Sequence, residues 1–81
     1  MATKSQHNLD YRLLPAFLRQ MREKAGLTQR DLGKRLNKPQ SWIYNSETGN
    51  RRVDITEFIS WAEACGVNPK TAFSSLLKEL Q

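Results

Sequence analysis

Apolar side chains recur at three- and four-residue spacing along this chain, in separate runs divided by polar turns. Leu14, Phe17, Leu18, Met21 and Ala25 make the first run, and Leu32 and Leu36 the second. The third has Ile43 as its one strong apolar position between Gln40 and Glu47. Ile55, Phe58, Ile59, Ala62 and Cys65 form the fourth stripe, and Ala72, Phe73, Leu76, Leu77 and Leu80 the fifth. This period is that of amphipathic helices, and no segment alternates with the period of two expected of a strand. The pattern predicts an all-α fold, a compact five-helix bundle, with helices near 15–25, 28–37, 39–47, 54–65 and 69–80.

The punctuation supports these bounds. Pro15 suits a first helical turn, with Asp10 to Leu14 as a separate lead-in. Gly26 and Asn37 can each close a helix in the left-handed conformation. Thr28 followed by Asp31, and Asp54 followed by Glu57, have the spacing of capping boxes. Pro39 and Pro69 stand where a missing N–H is harmless. Gly33 interrupts a helix interior at a cost of about 1 kcal/mol against Ala, which makes sense if a second helix crosses close by. Thr28 to Gly49 thus reads as two short helices joined by a three- or four-residue turn, the geometry of a helix-turn-helix.

Composition narrows the class. The chain has 81 residues and a net charge of +5, enough for one domain with one modest core. Residues 1–9 are a polar stretch expected to be a flexible arm holding Lys4 and His7, and residues 10–81 form the folded domain. Residues 1–52 hold 11 Lys/Arg against 4 Asp/Glu, whereas residues 53–81 hold 2 against 4. A basic front and a mildly acidic back are the footprint of a nucleic-acid binder. The single cysteine, Cys65, forbids an internal disulfide, offers no zinc-ligand spacing and reads as a small core residue. No apolar run reaches membrane-spanning length and the first residues lack a signal-peptide core, so a cytoplasmic setting is expected. No nucleophile–base pair, metal cluster or phosphate loop is present. The chain therefore reads as a non-enzyme without cofactor, metal or small-molecule ligand.

The chemistry concentrates in the third helix. Gln40, Ser41, Tyr44 and Asn45 make a polar strip opposite Ile43. Gln and Asn both donate and accept, which matches the N6/N7 edge of adenine in the major groove. Gln29, Lys38, Thr48, Asn50, Arg51 and Arg52 flank that strip and are candidate phosphate contacts, which position a protein without specifying sequence. Trp42 and Trp61 read as packing residues, Trp42 between helices and Trp61 in the core or at a contact between subunits.

The motif set resembles the Cro/repressor-type helix-turn-helix family, also called XRE-like regulators. The resemblance rests on Gly26-Leu27-Thr28-Gln29, Leu32-Gly33, Leu36-Asn37, Pro39-Gln40-Ser41, Ile43, Glu47 with Gly49, and Arg51-Arg52-Val53-Asp54. It spans roughly residues 17–80. It implies a sequence-specific transcriptional regulator of repressor type that binds double-stranded DNA as a homodimer, with Gln40, Ser41 and Asn45 facing bases and Gln29 a phosphate. It also implies a structural ion pair between Arg22 and Glu47, which would explain an acid on a DNA-facing helix. Two positions depart from the family pattern. Ser46 stands where a larger, often apolar residue is usual, so either helix three packs less tightly or Trp42 fills the space, and Lys38-Pro39 lacks the usual Ser/Thr cap. Leu77 and Leu80, near the end of the fifth helix, are the candidate dimer interface. The alternative function is a helical protein-interaction module, or an antitoxin-like partner-binding protein, on the same fold.

Overall fold

The computed structural model describes residues 11–80, and the expected arm at residues 1–9, with Lys4 and His7, lies outside them. Five helices follow in order: α1 (Leu13–Lys24), α2 (Gln29–Leu36), α3 (Gln40–Thr48), α4 (Ile55–Ala64) and α5 (Pro69–Leu80). Among the described residues there is no strand. Helix α1 starts two residues before the expected Pro15, after a turn in which the Leu14 N–H donates to the Tyr11 carbonyl at 3.1 Å. Pro15 remains inside the first turn, where a backbone N–H would have had no intrahelical acceptor.

Side-chain caps set the starts of the next helices. Thr28 and Asp31 form a reciprocal capping box on α2, and Asp54 and Glu57 form another on α4. Asn68 Oδ1 accepts the Lys70 N–H at 2.8 Å at the head of α5. Asn37 closes α2 with φ +57°, the conformation anticipated for it. At α3 the N-cap is Pro39 and no side chain caps it. The end of α4 has a partner that the sequence did not reveal: Arg35 Nη1 donates to the Ala64 carbonyl at 2.7 Å, placing a cation on the negative end of that helix dipole.

Gly33 is required by a closer contact than the expected helix crossing. A Cβ there would lie 2.6 Å from the Lys38 carbonyl oxygen, in the turn between α2 and α3. That same turn is tied back by the Lys38 N–H, which donates to the Gly33 carbonyl at 2.8 Å. The glycine lets the turn fold flat against its own preceding helix.

Helices α2 and α3 pack on each other, α1 supports α3, α4 supports α2, and α5 closes over α1 and α4. Leu18, Leu32, Ile43, Trp61 and Ala62 have no exposed surface and form the centre of the core. Trp61 buries its indole N–H on the Leu18 carbonyl at 3.1 Å, so the one polar atom of the ring is satisfied. Cys65 is buried in the same cluster, and burial raises its thiol pKa to about 11.

The breadth of the fourth and fifth stripes is where expectation and structure part. Ile55 and Ile59, expected in the core, are 57% and 39% exposed. Phe73, also expected to face inward, is 42% exposed, as is Leu77. The face that α4 buries is Phe58, Trp61, Ala62 and Cys65, about one side chain's width round from the expected stripe. Phe73 meets the buried Phe58 edge to face at 6.2 Å, a contact between α5 and α4.

Candidate nucleic-acid interface

A chain of polar contacts fixes the third helix to the first. Glu47 is buried on the inner side of α3, and its carboxylate takes a two-point grip from Arg22 on α1: Nε to Oε2 at 2.6 Å and Nη2 to Oε1 at 3.0 Å. Arg22 Nη1 also donates to the Leu27 carbonyl at 2.8 Å. The hydrogen bond to Glu47 is the main cause that raises the Arg22 pKa above its ordinary value, partly opposed by burial. An acid on this helix is thus neutralised before it can face outward.

The network then reaches the surface. Gln29, the first residue of α2, donates from Nε2 to Glu47 Oε1 at 3.1 Å, and its Oε1 accepts from Gln40 Nε2 at 3.3 Å. Gln40, the first residue of α3, is held by a hydrogen-bonded line that runs back to Arg22. Its amide oxygen accepts no protein hydrogen bond among the described residues, so it is available to a donor such as adenine N6.

The exposed strip of α3 comprises Gln40, Ser41 and Tyr44, with Asn45 half-buried beside them. Asn45 Oδ1 accepts from Asn50 Nδ2 at 3.2 Å, which pairs a candidate base contact with a candidate phosphate contact. Thr48 Oγ1 turns back onto the Tyr44 carbonyl at 2.9 Å. Gly49, with φ +82°, ends the helix and releases Asn50, Arg51 and Arg52 as a loop.

The two loop arginines, both expected at phosphates, have different surroundings. Arg51 is turned inward: its guanidinium lies 4.2 Å over the Trp42 ring, and its terminal nitrogens donate to Ser46 Oγ at 3.1 Å and Glu57 Oε2 at 2.8 Å. Arg52 is exposed and lies 4.5 Å over the ring of Tyr11. That ring is itself pinned, because Tyr11 Oη accepts the Val53 N–H at 2.8 Å. Neither Tyr11 nor Glu57 was singled out as part of this region. Their partners lie 42 and 6 residues away in sequence, and no local pattern announces them.

The Ser46 departure is explained by the same cluster. Ser46 has no exposed surface; its hydroxyl donates to the Trp42 carbonyl at 2.7 Å and accepts from Arg51. Trp42 does not fill the space alone. It is half-buried, with Arg51 on one side, Lys38 Nζ 5.2 Å from its ring centre and the Trp61 ring at 6.2 Å. A small hydroxyl is the size that leaves room for the arginine.

No group of three or more His, Cys, Asp or Glu side chains able to hold a metal occurs among the described residues. No helix among them is long and apolar enough to cross a membrane.

Two short helices at the front of a three-helix support, with a polar helix exposed beside a basic loop, define a DNA-binding helix-turn-helix domain. The family model described as a helix-turn-helix domain matches residues 13–73. An XRE-family-like protein from Pseudomonas syringae pv. tomato is similar over nearly the full length of both chains, at 36% identity and a TM-score of 0.81, covering 99% of this chain and 98% of that one. The restriction-modification controller protein C.AhdI from Aeromonas hydrophila is 26% identical with a TM-score of 0.70, covering 82% of this chain and all of that one (100%). The clp gene regulator ClgR from C. glutamicum shares the fold at 21% identity and a TM-score of 0.75, covering 88% and 92%. A search of curated proteins returned no match. The chain belongs to the XRE-like helix-turn-helix family of DNA-binding transcription regulators.

Proposed function

We propose that this protein is a sequence-specific transcriptional repressor that reads the major groove with α3 as a homodimer. The observation that carries the reading is the line Arg22–Glu47–Gln29–Gln40, which holds a base-reading amide in place at the exposed end of the helix. Preorganised polar groups lose little freedom on binding, so less of their interaction energy is spent on ordering. Gln40, Ser41, Tyr44 and Asn45 contact bases. Gln29, Lys38, Thr48, Asn50 and Arg52 contact phosphates, while Arg51 braces the helix from behind. Repression follows from occupancy, since a protein seated in a promoter's groove excludes polymerase from it.

The homodimer reading is supported by the exposed apolar side chains Ile55 and Ile59 on α4 and Phe73 and Leu77 on α5. Leu80, on α5 as well, is half-buried against the core. A two-fold pairing there would set two α3 helices about 34 Å apart, one turn of B-DNA.

Selection of bound sequences from a random DNA pool tests the reading. The expected result is a palindromic consensus with half-sites about one helical turn apart. A pool that never enriches would overturn it in favour of a protein-interaction role for the same fold.

A further inference from the structure

The loop after α3 is held by a residue that lies outside the helices. Tyr11 stands two residues before α1, and its carbonyl accepts the Leu14 N–H at 3.1 Å, so it is fastened to the head of that helix. The head of α1 lies beside the end of α3: a Cβ on Gly49 would be 3.7 Å from Pro15 Cγ, and Tyr11, Pro15, Thr48 and Gly49 line one groove. Tyr11 is half-buried and reaches the loop with both parts of its side chain. Its hydroxyl oxygen accepts the Val53 N–H at 2.8 Å. Val53 is buried, and a buried N–H needs an acceptor. Its ring lies under the Arg52 guanidinium, 4.5 Å from the ring centre. The two grips fall on adjacent residues of the loop.

The kind of partner given to Arg52 is informative. Arg52 is exposed and has no ion-pair partner among the described residues, whereas its neighbour Arg51 is committed to Glu57. A long cation with no support explores many rotamers, and ordering it against a ligand costs affinity. A carboxylate would have ordered Arg52 but neutralised the charge that an anion needs. An aromatic face attracts the cation through its π-cloud and takes none of its N–H donors, which stay free for a phosphate.

We propose that Tyr11 is a positioning residue for DNA binding. It fixes the loop after α3 through its hydroxyl and presents the Arg52 guanidinium to a phosphate from its ring, without touching DNA itself. The grip at the C-terminal end of the recognition helix is thereby set from the head of α1. This inference rests on the DNA-binding reading above.

The test is a double-mutant cycle on the full chain, with Tyr11→Leu, Arg52→Gln and the two combined, and with Tyr11→Phe as the conservative variant. Each is titrated onto the consensus duplex selected with the unaltered protein, and circular dichroism verifies that each is folded. Failure of the unaltered protein to bind any duplex would sink the DNA reading itself. Arg52→Gln makes the slope of log affinity against log salt shallower by about 0.9, the share of one phosphate. Tyr11→Leu weakens binding about two- to fivefold, the range of an exposed cation–π contact, and does so alike on consensus and scrambled duplexes. In the Arg52→Gln background the same replacement has little further effect. Tyr11→Phe keeps the ring and retains more affinity than Tyr11→Leu. An equal loss from Tyr11→Leu in both backgrounds would overturn the proposal, since a role in stability alone does not depend on Arg52. So would no loss in either background, or an Arg52→Gln slope equal to the reference. Tyr11→Phe as weak as Tyr11→Leu would overturn it too, by leaving the ring without a part, and a shifted consensus would make Tyr11 a base reader instead. All of these outcomes leave the DNA reading intact.

Discussion

Glu47 shows how one buried side chain can tie three helices together. Its carboxylate meets two Arg22 nitrogens and the Gln29 amide, and the pair is almost fully buried. Truncating either partner strands the other charge away from water, so Arg22→Ala and Glu47→Ala should each destabilise the domain by about 3–5 kcal/mol in urea unfolding. A loss below about 1 kcal/mol would mean that water replaces the missing partner. Gly33 argues the opposite way from helix propensity. Ala is the better helix former by about 1 kcal/mol, but its Cβ would meet the Lys38 carbonyl. Overpacking of that kind typically costs about 1–3 kcal/mol. Gly33→Ala should therefore lower the unfolding midpoint; a raised midpoint would show that the turn relaxes freely.

At the scale of elements, the caps carry a pH dependence. The Thr28 N–H and hydroxyl bonds hold the Asp31 carboxyl below its ordinary range, and the Glu57 N–H and Thr56 hydroxyl do the same for Asp54. Their folded pKa values lie below the ordinary aspartate value of 3.8. The stability they add is complete above that value and is lost as pH falls through the lowered ones. The unfolding midpoint of Asp31→Asn/Asp54→Asn should change less with pH between about 5 and 2 than that of the unaltered protein. Parallel curves would show that other groups govern the acid limb.

These caps are also why helix bounds were readable in the sequence, since Thr28, Asn37, Asp54 and Asn68 act on neighbours within a few residues. Which side of an apolar stripe turns inward was less readable. The α4 stripe from Ile55 to Cys65 is wider than one packing face, and its true centre depends on where α5 lies. Of the Ser46–Arg51–Glu57–Trp42 cluster, only the small size of Ser46 beside Trp42 was legible; the parts of Arg51 and Glu57 were not. Both are compatible with a solvated surface until α3 and α4 are brought together.

For the whole molecule, the distribution of exposed apolar surface matters most. Ile55, Ile59, Phe73 and Leu77 are open to solvent, and Leu77 is among the positions where a charge can be added without entering the core. Leu77→Asp should therefore stay folded by circular dichroism yet sediment as a monomer and lose cooperative binding to a two-half-site duplex. A dimer of undiminished stability would place the contact elsewhere on the chain. Ile59→Asp is the companion on α4 and is expected to give the same result if the two flanks form one patch. Charge follows the same division, with the surplus of cations in the N-terminal half around α2, α3 and the loop after it. The end of the molecule that carries the apolar flank, α4 and α5, is mildly acidic, which keeps it from competing for the polyanion.

The tether on Gln40 has a consequence for how such a regulator can diverge. Along α3, Ser41 and Tyr44 point outward with side chains that make no hydrogen bond to the rest of the described protein, whereas Gln40 is moored to Gln29 and Asn45 to Asn50. On the proposed reading of α3, lineages that acquire new targets can exchange Ser41 and Tyr44 one at a time, with no hydrogen bond of the fold lost at either step. Exchange of Gln40 removes the donor to the Gln29 amide oxygen, while Gln29 stays bonded to Glu47, so a new side chain at position 40 is equally well held only if it too can donate to Gln29. Inheritance of new specificity should run first through the untethered pair.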